Sequence, residues 1–200
     1  MRKLSLAALM LASLLMTGCK DAASPTAAGD AKSASAPVSV AAIAAEATGF
    51  TAGSAVSART VYVFFDAQCP HCSELWRNAK PLKSQAKFVW IPVGLLNASS
   101  TAQGATLLAS KNAVALMDEH EVSMLAKRGG ISGGNDIDAQ KEQVAKNTQL
   151  LNRFGFASIP TIVGTHAETG ALVTNQGSLS TAALASLLGL QAPAESAPAR

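Results

Sequence analysis

An α/β fold is what this sequence predicts, and three observations predict it. Val61-Tyr62-Val63-Phe64-Phe65 is β-branched and aromatic without polar alternation, the pattern of a strand covered on both faces. It runs straight into Cys69-Pro70-His71-Cys72, after which Cys72, Leu75, Trp76 and Ala79 recur at i, i+3, i+4 and i+7, so a helix starts at the cysteine pair and buries one stripe. Strand-like and helical segments then alternate to Gly189, ending in two short strands and an amphipathic helix.

The elements run in order from the N-terminus. Arg2 and Lys3 precede a thirteen-residue apolar stretch, Leu4 to Met16, which is too short to span a membrane and has the shape of an export signal. Leu15-Met16-Thr17-Gly18-Cys19 resembles the bacterial lipobox, so residues 1–18 read as a lipoprotein signal peptide and Cys19 as the lipidated first residue of the mature chain. An ordinary signal peptide with an incidental cysteine is the plainer alternative. Residues 19–37, rich in Ala, Ser, Gly, Thr and Pro, read as a flexible tether. Residues 38–191 are enough for one domain with a proper core, and residues 192–200 form an Ala/Pro-rich tail expected to be disordered.

Within the domain, Val38 to Glu46 is apolar enough for a short strand or helix packed against the rest of the domain. Pro81 should end or kink the helix that starts at the cysteines. Phe88-Val89-Trp90-Ile91-Pro92-Val93 is a second buried strand, and residues 101–128 read as helical with a break near Ser110 to Asn112. Gly129-Gly130-Ile131-Ser132-Gly133-Gly134 is a loop. Asn135 or Asp136 can cap a further helix in which Ile137, Val144 and Leu151 fall seven apart, and Gly155 stops it. Thr161-Ile162-Val163 and Ala171-Leu172-Val173 read as an antiparallel pair, and Ser178 or Ser180 opens the last helix.

Charge and cysteine content narrow the chemistry. Loss of Arg2 and Lys3 with the leader lowers the formal side-chain balance from +3 to +1, and no basic cluster is present, so neither nucleic acid nor an acidic surface is implied as a partner. With Cys19 lipidated, Cys69 and Cys72 are the only thiols of the mature chain. Two thiols two residues apart can close a small disulfide, and a cysteine at a helix N-terminus has its thiolate stabilised by free backbone N–H groups and the helix dipole. Cys69 is therefore the candidate nucleophile.

The order strand, CxxC, helix, strand, helices, strand, strand, helix is that of a thioredoxin-like fold carrying a helical insertion between the second and third strands. Ser158-Ile159-Pro160-Thr161 falls where thioredoxin-like proteins hold a cis-proline loop facing the CxxC. Through Val61 to Asp66, the CxxC, Trp76, Val93-Gly94 and Leu107 to Lys111, residues 58–190 resemble the bacterial periplasmic Dsb proteins, DsbG and DsbC above all. The resemblance implies thiol–disulfide exchange on exported proteins that contain cysteines, with Cys69 attacking and Cys72 resolving. It implies no cofactor beyond the redox-active disulfide, a substrate-binding loop of Ile159, Pro160 and Thr161, and a DsbD-type membrane reductant.

Three departures qualify it. Lys20 to Ser57 leaves no room for the N-terminal dimerisation domain of DsbC and DsbG, so a monomer is expected. Ile159 replaces the threonine that those isomerases carry before the proline. Pro70-His71 is similar to the dipeptide of the oxidase DsbA, in which the histidine stabilises the thiolate, and it points to a DsbB-type oxidant instead. Val63 stands where thioredoxins hold a buried acid, so Cys72 must lose its proton to water or another group. Reductase, isomerase and oxidase all remain open from these residues.

Plainer readings stand beside these. Cys69 and Cys72 with a histidine could form half a zinc site, but His120 and His166 lack ligand-like spacing and no metal is expected. An inert structural disulfide in a non-enzymatic envelope binding lipoprotein is the alternative of another class. His120, within Asp118-Glu119-His120-Glu121, reads as a solvated helix-face residue, and His166 as part of the turn after the third predicted strand. Asp66 could tune the thiol or cap a turn, and Trp76 and Trp90 read as core. Lys20 lacks the aspartate usual for inner-membrane retention, which favours the periplasmic face of the outer membrane.

Overall fold

The computed structural model describes residues 35–193. The leader, the lipobox with Cys19, most of the tether and the tail beyond residue 193 lie outside the described residues.

A five-stranded mixed sheet organises the domain in the order β1-β3-β2-β4-β5. Its strands are β1 (Phe50–Gly53), β2 (Thr60–Asp66), β3 (Lys87–Val93), β4 (Thr161–Thr165) and β5 (Leu172–Gln176). The centre is the parallel pair β2 and β3, with Val63 opposite Trp90, and the other three pairings are antiparallel. The helices are α1 (Val40–Glu46), α2 (Pro70–Ala79), α3 (Ala98–Ala109), α4 (Ala113–Leu125), α5 (Asp138–Arg153) and α6 (Thr181–Leu188).

The uninterrupted apolar run of β2 has its explanation in two cores. Val61, Val63 and Phe65 point to one face, where Phe88 and Trp90 of β3 meet Leu75 and Trp76 of α2 and Leu184 and Leu188 of α6. Tyr62 and Phe64 point to the other, where Ile91 and Val93 meet Ile43 of α1 and Leu150 and Leu151 of α5. Strand side chains alternate between faces, so a strand with helices on both sides has no face left for polar residues. Trp90 sits at the middle of the first core, edge-on to Trp76 at 4.8 Å and to Phe65 at 5.7 Å between ring centroids.

The insertion lies between β3 and β4 and consists of α3, α4 and α5. These are the second and third of the strands read from sequence. The count differs because β1 escaped the sequence reading: Phe-Thr-Ala-Gly carries little β-branched or alternating signal and is a strand only because the edge of β3 is free to pair with it. The first helix of the insertion begins at Ala98, earlier than expected, because Asn97 and Ser100 form a reciprocal capping box. The break before α4 falls at Ser110 to Asn112 as expected, while residues 126–128 turn rather than continue the helix.

Neither Asn135 nor Asp136 caps α5. Ile137 occupies the cap position without any side-chain bond, and Asp136 has φ +54°. Ile137 is buried against Ala105 and Val144, so the apolar contact outweighs the hydrogen bond that a polar cap would make. Gly155, with φ +71°, comes after the end of α5 in the left-handed conformation that glycine adopts without strain. Ser180, not Ser178, caps α6, accepting a hydrogen bond from the Ala183 N–H.

One buried amide joins the insertion to the sheet. Asn147 of α5 accepts from the Thr48 N–H at 2.9 Å and donates to the carbonyls of Thr48 at 2.8 Å and Pro92 at 3.0 Å. Alanine at this position leaves the buried Pro92 carbonyl and the partly buried Thr48 N–H and carbonyl without this partner, and the expected cost is about 2–3 kcal/mol in urea denaturation with little change in slope.

Candidate active site

The C-terminal end of β2 and the start of α2 hold the cysteine pair. Cys69 is the N-cap residue of α2 with extended backbone, and Pro70 occupies the first helical position, where its missing N–H costs no bond. The Cys69 N–H donates to Asp66 O at 3.0 Å, and the Cys72 N–H to Cys69 O at 3.1 Å, so the motif winds directly from strand into helix. Both residues are free thiols. Cys72 is buried at 1% exposure and Cys69 at 6%, whereas the His71 side chain is 74% exposed.

This asymmetry separates the two thiols chemically. A hydrogen bond from the Cys72 thiol, the backbone N–H groups of Cys72 and His71, and the charge of His71 together lower the Cys69 pKa to about 6, against the opposing effect of burial. The Cys72 thiol goes the other way: burial raises it well above the ordinary value, and the neighbouring Cys69 sulfur adds to the effect. One thiol thus ionises more readily and the other keeps its proton.

Facing the pair is the loop into β4. The Ile159–Pro160 peptide is cis, and the Ile159 carbonyl lies 3.9 Å from the Cys69 Sγ. The loop is held from both ends. The Ala157 and Ser158 N–H groups donate to Gln176 Oε1, and the Gly177 N–H donates to Pro160 O at 2.7 Å. Thr161 is buried, and its hydroxyl donates to Ser158 O, so it shapes the loop from within while Ile159 stays partly open beside the sulfur.

Other residues singled out by sequence find definite places. Asp66 is fully buried, and its carboxylate accepts from the N–H groups of Gln68, Leu95 and Leu96 at 2.8, 2.8 and 3.1 Å, which pins the turn before Cys69 to the loop after β3. It is a turn cap. Val63 is buried opposite Trp90 and Ile162, with no ionisable group in its place. Trp76 and Trp90 are core, and the Trp76 indole N–H donates to Asp118 at 2.8 Å. His166 lies in the turn after β4.

His120 overturns its sequence reading. It is fully buried, not solvated, donating from Nε2 to Ala67 O at 2.7 Å and accepting at Nδ1 from the Ile131 N–H at 3.2 Å. Burial holds its pKa below the usual histidine value, so the ring is neutral. Around it, Gln103 donates to the carbonyls of Gly129 and Ile131 and accepts from Gln68. The glycine loop is thereby fastened to the segment that delivers Cys69. Gly130, with φ +86°, lies against the His120 ring where a Cβ would collide. The sequence signal for this network was Met117, His120 and Glu121 at i, i+3 and i+4, a buried stripe hidden by its acidic neighbours. Glu121 itself is neutralised by Lys80 at 3.0 Å.

Among the described residues no group of three or more His, Cys, Asp or Glu side chains is placed to hold a metal ion. What the arrangement offers is a polarised thiol pair beside an open backbone carbonyl.

No family model matches this chain. It is 34% identical over 140 residues to the thiol:disulfide interchange protein DsbG of Pseudomonas aeruginosa, covering 68% of this chain and 54% of that protein. To DsbG of Escherichia coli K12 it is 29% identical over 104 residues, covering 51% of this chain and 42% of that protein. The chain thus spans about half the length of the relatives it matches. Among solved structures, it is similar to a periplasmic thioredoxin-like protein from Salmonella enterica serovar Typhimurium (TM-score 0.58, 16% identity, 77% of this chain and 97% of that one). It is also similar to DsbA2 of Pseudomonas aeruginosa (TM-score 0.57, 18% identity, 69% and 91%) and to the catalytic domain of Proteus mirabilis ScsC (TM-score 0.52, 16% identity, 74% and 96%). By sequence, this chain is similar to the thiol:disulfide interchange protein DsbG over about half of that protein's length, and its architecture is thioredoxin-like.

Proposed function

We propose that this protein exchanges disulfides with exported proteins in the periplasm, as a DsbG/DsbC-like reductase or isomerase acting through Cys69 and Cys72. The observation that carries the reading is the division of labour in the pair: a Cys69 thiolate favoured near neutral pH, and a buried, protonated Cys72 behind it. The Cys69 thiolate attacks one sulfur of a substrate disulfide, forming a mixed disulfide and releasing the other sulfur as a thiolate. Cys72 gives up its proton and attacks the Cys69 sulfur, so the Cys69–Cys72 disulfide forms and the substrate leaves as a dithiol. Two electrons pass from protein to substrate, and the reverse sequence oxidises. His71 and Pro70 tune the thiolate, while Ile159 and Pro160 offer backbone groups to an extended segment as an edge strand would.

Cys19 as a lipidated residue would tether the domain to a membrane, the outer one by the nature of Lys20, and a DsbD-type membrane protein would restore the dithiol. The low Cys69 pKa and the Pro70-His71 dipeptide favour a second reading, a DsbA-like oxidase recharged by a DsbB-type partner.

Equilibration of the purified chain with glutathione redox buffers, read by alkylation of free thiols, tests both. A potential near about −120 mV is expected for a strongly oxidising pair, whether kept reduced by a dedicated donor or working as an oxidase, and one near about −270 mV for a thioredoxin-like reductase. A pair that fails to exchange removes the oxidoreductase reading and leaves a binding lipoprotein with a structural disulfide.

A further inference from the structure

Beside the cysteine pair runs a groove of about 450 Å³, lined by His71 and Glu74 of α2, Ser158 and Ile159 of the proline loop, and Ser178 and Leu179 of the β5–α6 loop. Both of its walls are fixed before any ligand arrives. On the α2 side, Asn78 donates to Leu179 O at 2.9 Å and the Thr181 hydroxyl donates to Asn78 O at 2.8 Å, stapling the β5–α6 loop to the helix. On the other side, Gly177 and Gln176 hold the proline loop.

The groove has a definite chemical character. Among the described residues Glu74 is its one acid, and no lysine or arginine lines it. Glu74 lies one helical turn beyond His71, 3.4 Å from the imidazole Nδ1, and its side chain is 44% exposed. A partly exposed carboxylate without a permanent cation beside it leaves room for a cationic group in this wall of the groove. A chain whose cysteine sulfur reaches Cys69 and whose backbone meets Ile159 lies at a groove that Ile159 and Glu74 both line.

We propose that this groove seats the substrate segment and that Glu74 makes the protein select extended chains with Lys or Arg beside the reacting cysteine. The inference rests on the oxidoreductase reading and names its substrate class. Glu74 is a specificity residue: it acts on the flanking residue and takes no part in sulfur chemistry.

The test uses the reduced full chain and three otherwise uncharged pentapeptides, Ala-Xaa-Cys-Xaa-Ala, with Xaa as Lys, Gln or Glu and the cysteine activated as a 2-pyridyl disulfide. Attack by Cys69 on the peptide sulfur forms the mixed disulfide and releases 2-thiopyridone, which is read by absorbance. The Lys peptide is expected to react about three- to tenfold faster than the Glu peptide at low ionic strength, with the ratio shrinking in about 0.5 M salt, as an exposed ion pair allows. The ratio is the readout because it cancels any change in thiolate reactivity. In Glu74→Gln it should fall toward one, and in Glu74→Lys it should invert. Equal rates in the wild type, or a Lys preference that survives Glu74→Gln, overturn the proposal while leaving the oxidoreductase reading intact. Failure to react with all three peptides and with glutathione sinks both.

Discussion

Cys69→Ser is expected to abolish disulfide exchange, a loss on the order of a thousandfold or more, whereas Cys72→Ser should yield a protein that accumulates covalent complexes with its partners. The first change replaces the attacking sulfur with a hydroxyl that does not ionise near neutral pH. The second leaves the nucleophile in place and removes the sulfur that would release the mixed disulfide. Non-reducing gels of the Cys72→Ser protein after oxidising export should show bands that dithiothreitol dissolves. The absence of such bands, with Cys69 intact and reactive, would count against the mechanism.

The pH dependence has its origin in the same geometry. With the Cys69 pKa at about 6, roughly nine-tenths of the group is thiolate at pH 7, against about 3% of an ordinary thiol. Iodoacetamide alkylation of Cys69 should therefore rise with pH through an inflection near 6 and flatten above about 7. Because the folded value lies below the unfolded one, the stabilisation of the dithiol form is present in full above about pH 8.5 and lost as pH falls through about 6. At pH 7 it is on the order of 1 kcal/mol, and it makes the disulfide more oxidising than a pair with an unperturbed nucleophile.

His120→Ala should be the more damaging change for stability, costing about 2–4 kcal/mol in denaturant unfolding. It leaves the buried Ala67 carbonyl and Ile131 N–H without partners and opens a void under Gly130. The native histidine also sets an acid limit. Its folded pKa lies below the unfolded value of about 6.5, so the unfolded chain takes up the proton first. Stability should hold above about pH 6.5 and fall below it, at up to about 1.4 kcal/mol per pH unit until the folded ring itself protonates. The Asp66 carboxylate is the acidic charge that opposes this shift, and burial outweighs it. His120→Gln should remove this histidine's part of the slope; an unchanged slope between about pH 6.5 and 5 would assign it elsewhere.

The correct and incorrect parts of the sequence reading divide along a physical line. Strand β2, the cysteine motif, the helix that starts on it, the break between α3 and α4 and the two-layer covering of the sheet were legible because each is written in contiguous residues: an apolar run, a spacing, a period. Such features depend on backbone sterics and on burial of a face, which local sequence specifies. The placement of His120, the isoleucine at the cap of α5, the short strand β1 and the groove beside Glu74 were not legible in the same way. Each depends on what residues distant in the chain bring alongside: Ala67 and Ile131 around a histidine, Ala105 and Val144 around Ile137, a free edge of β3, a loop from β5 across α2. Local residues were thus enough to specify the class of fold and the two sulfurs to which the proposed chemistry is assigned. Which sulfur ionises, which polar groups stand buried beneath it and what surrounds the reacting pair are settled only on folding, because desolvation and hydrogen bonding are properties of assembled neighbours, not of the chain that supplies them.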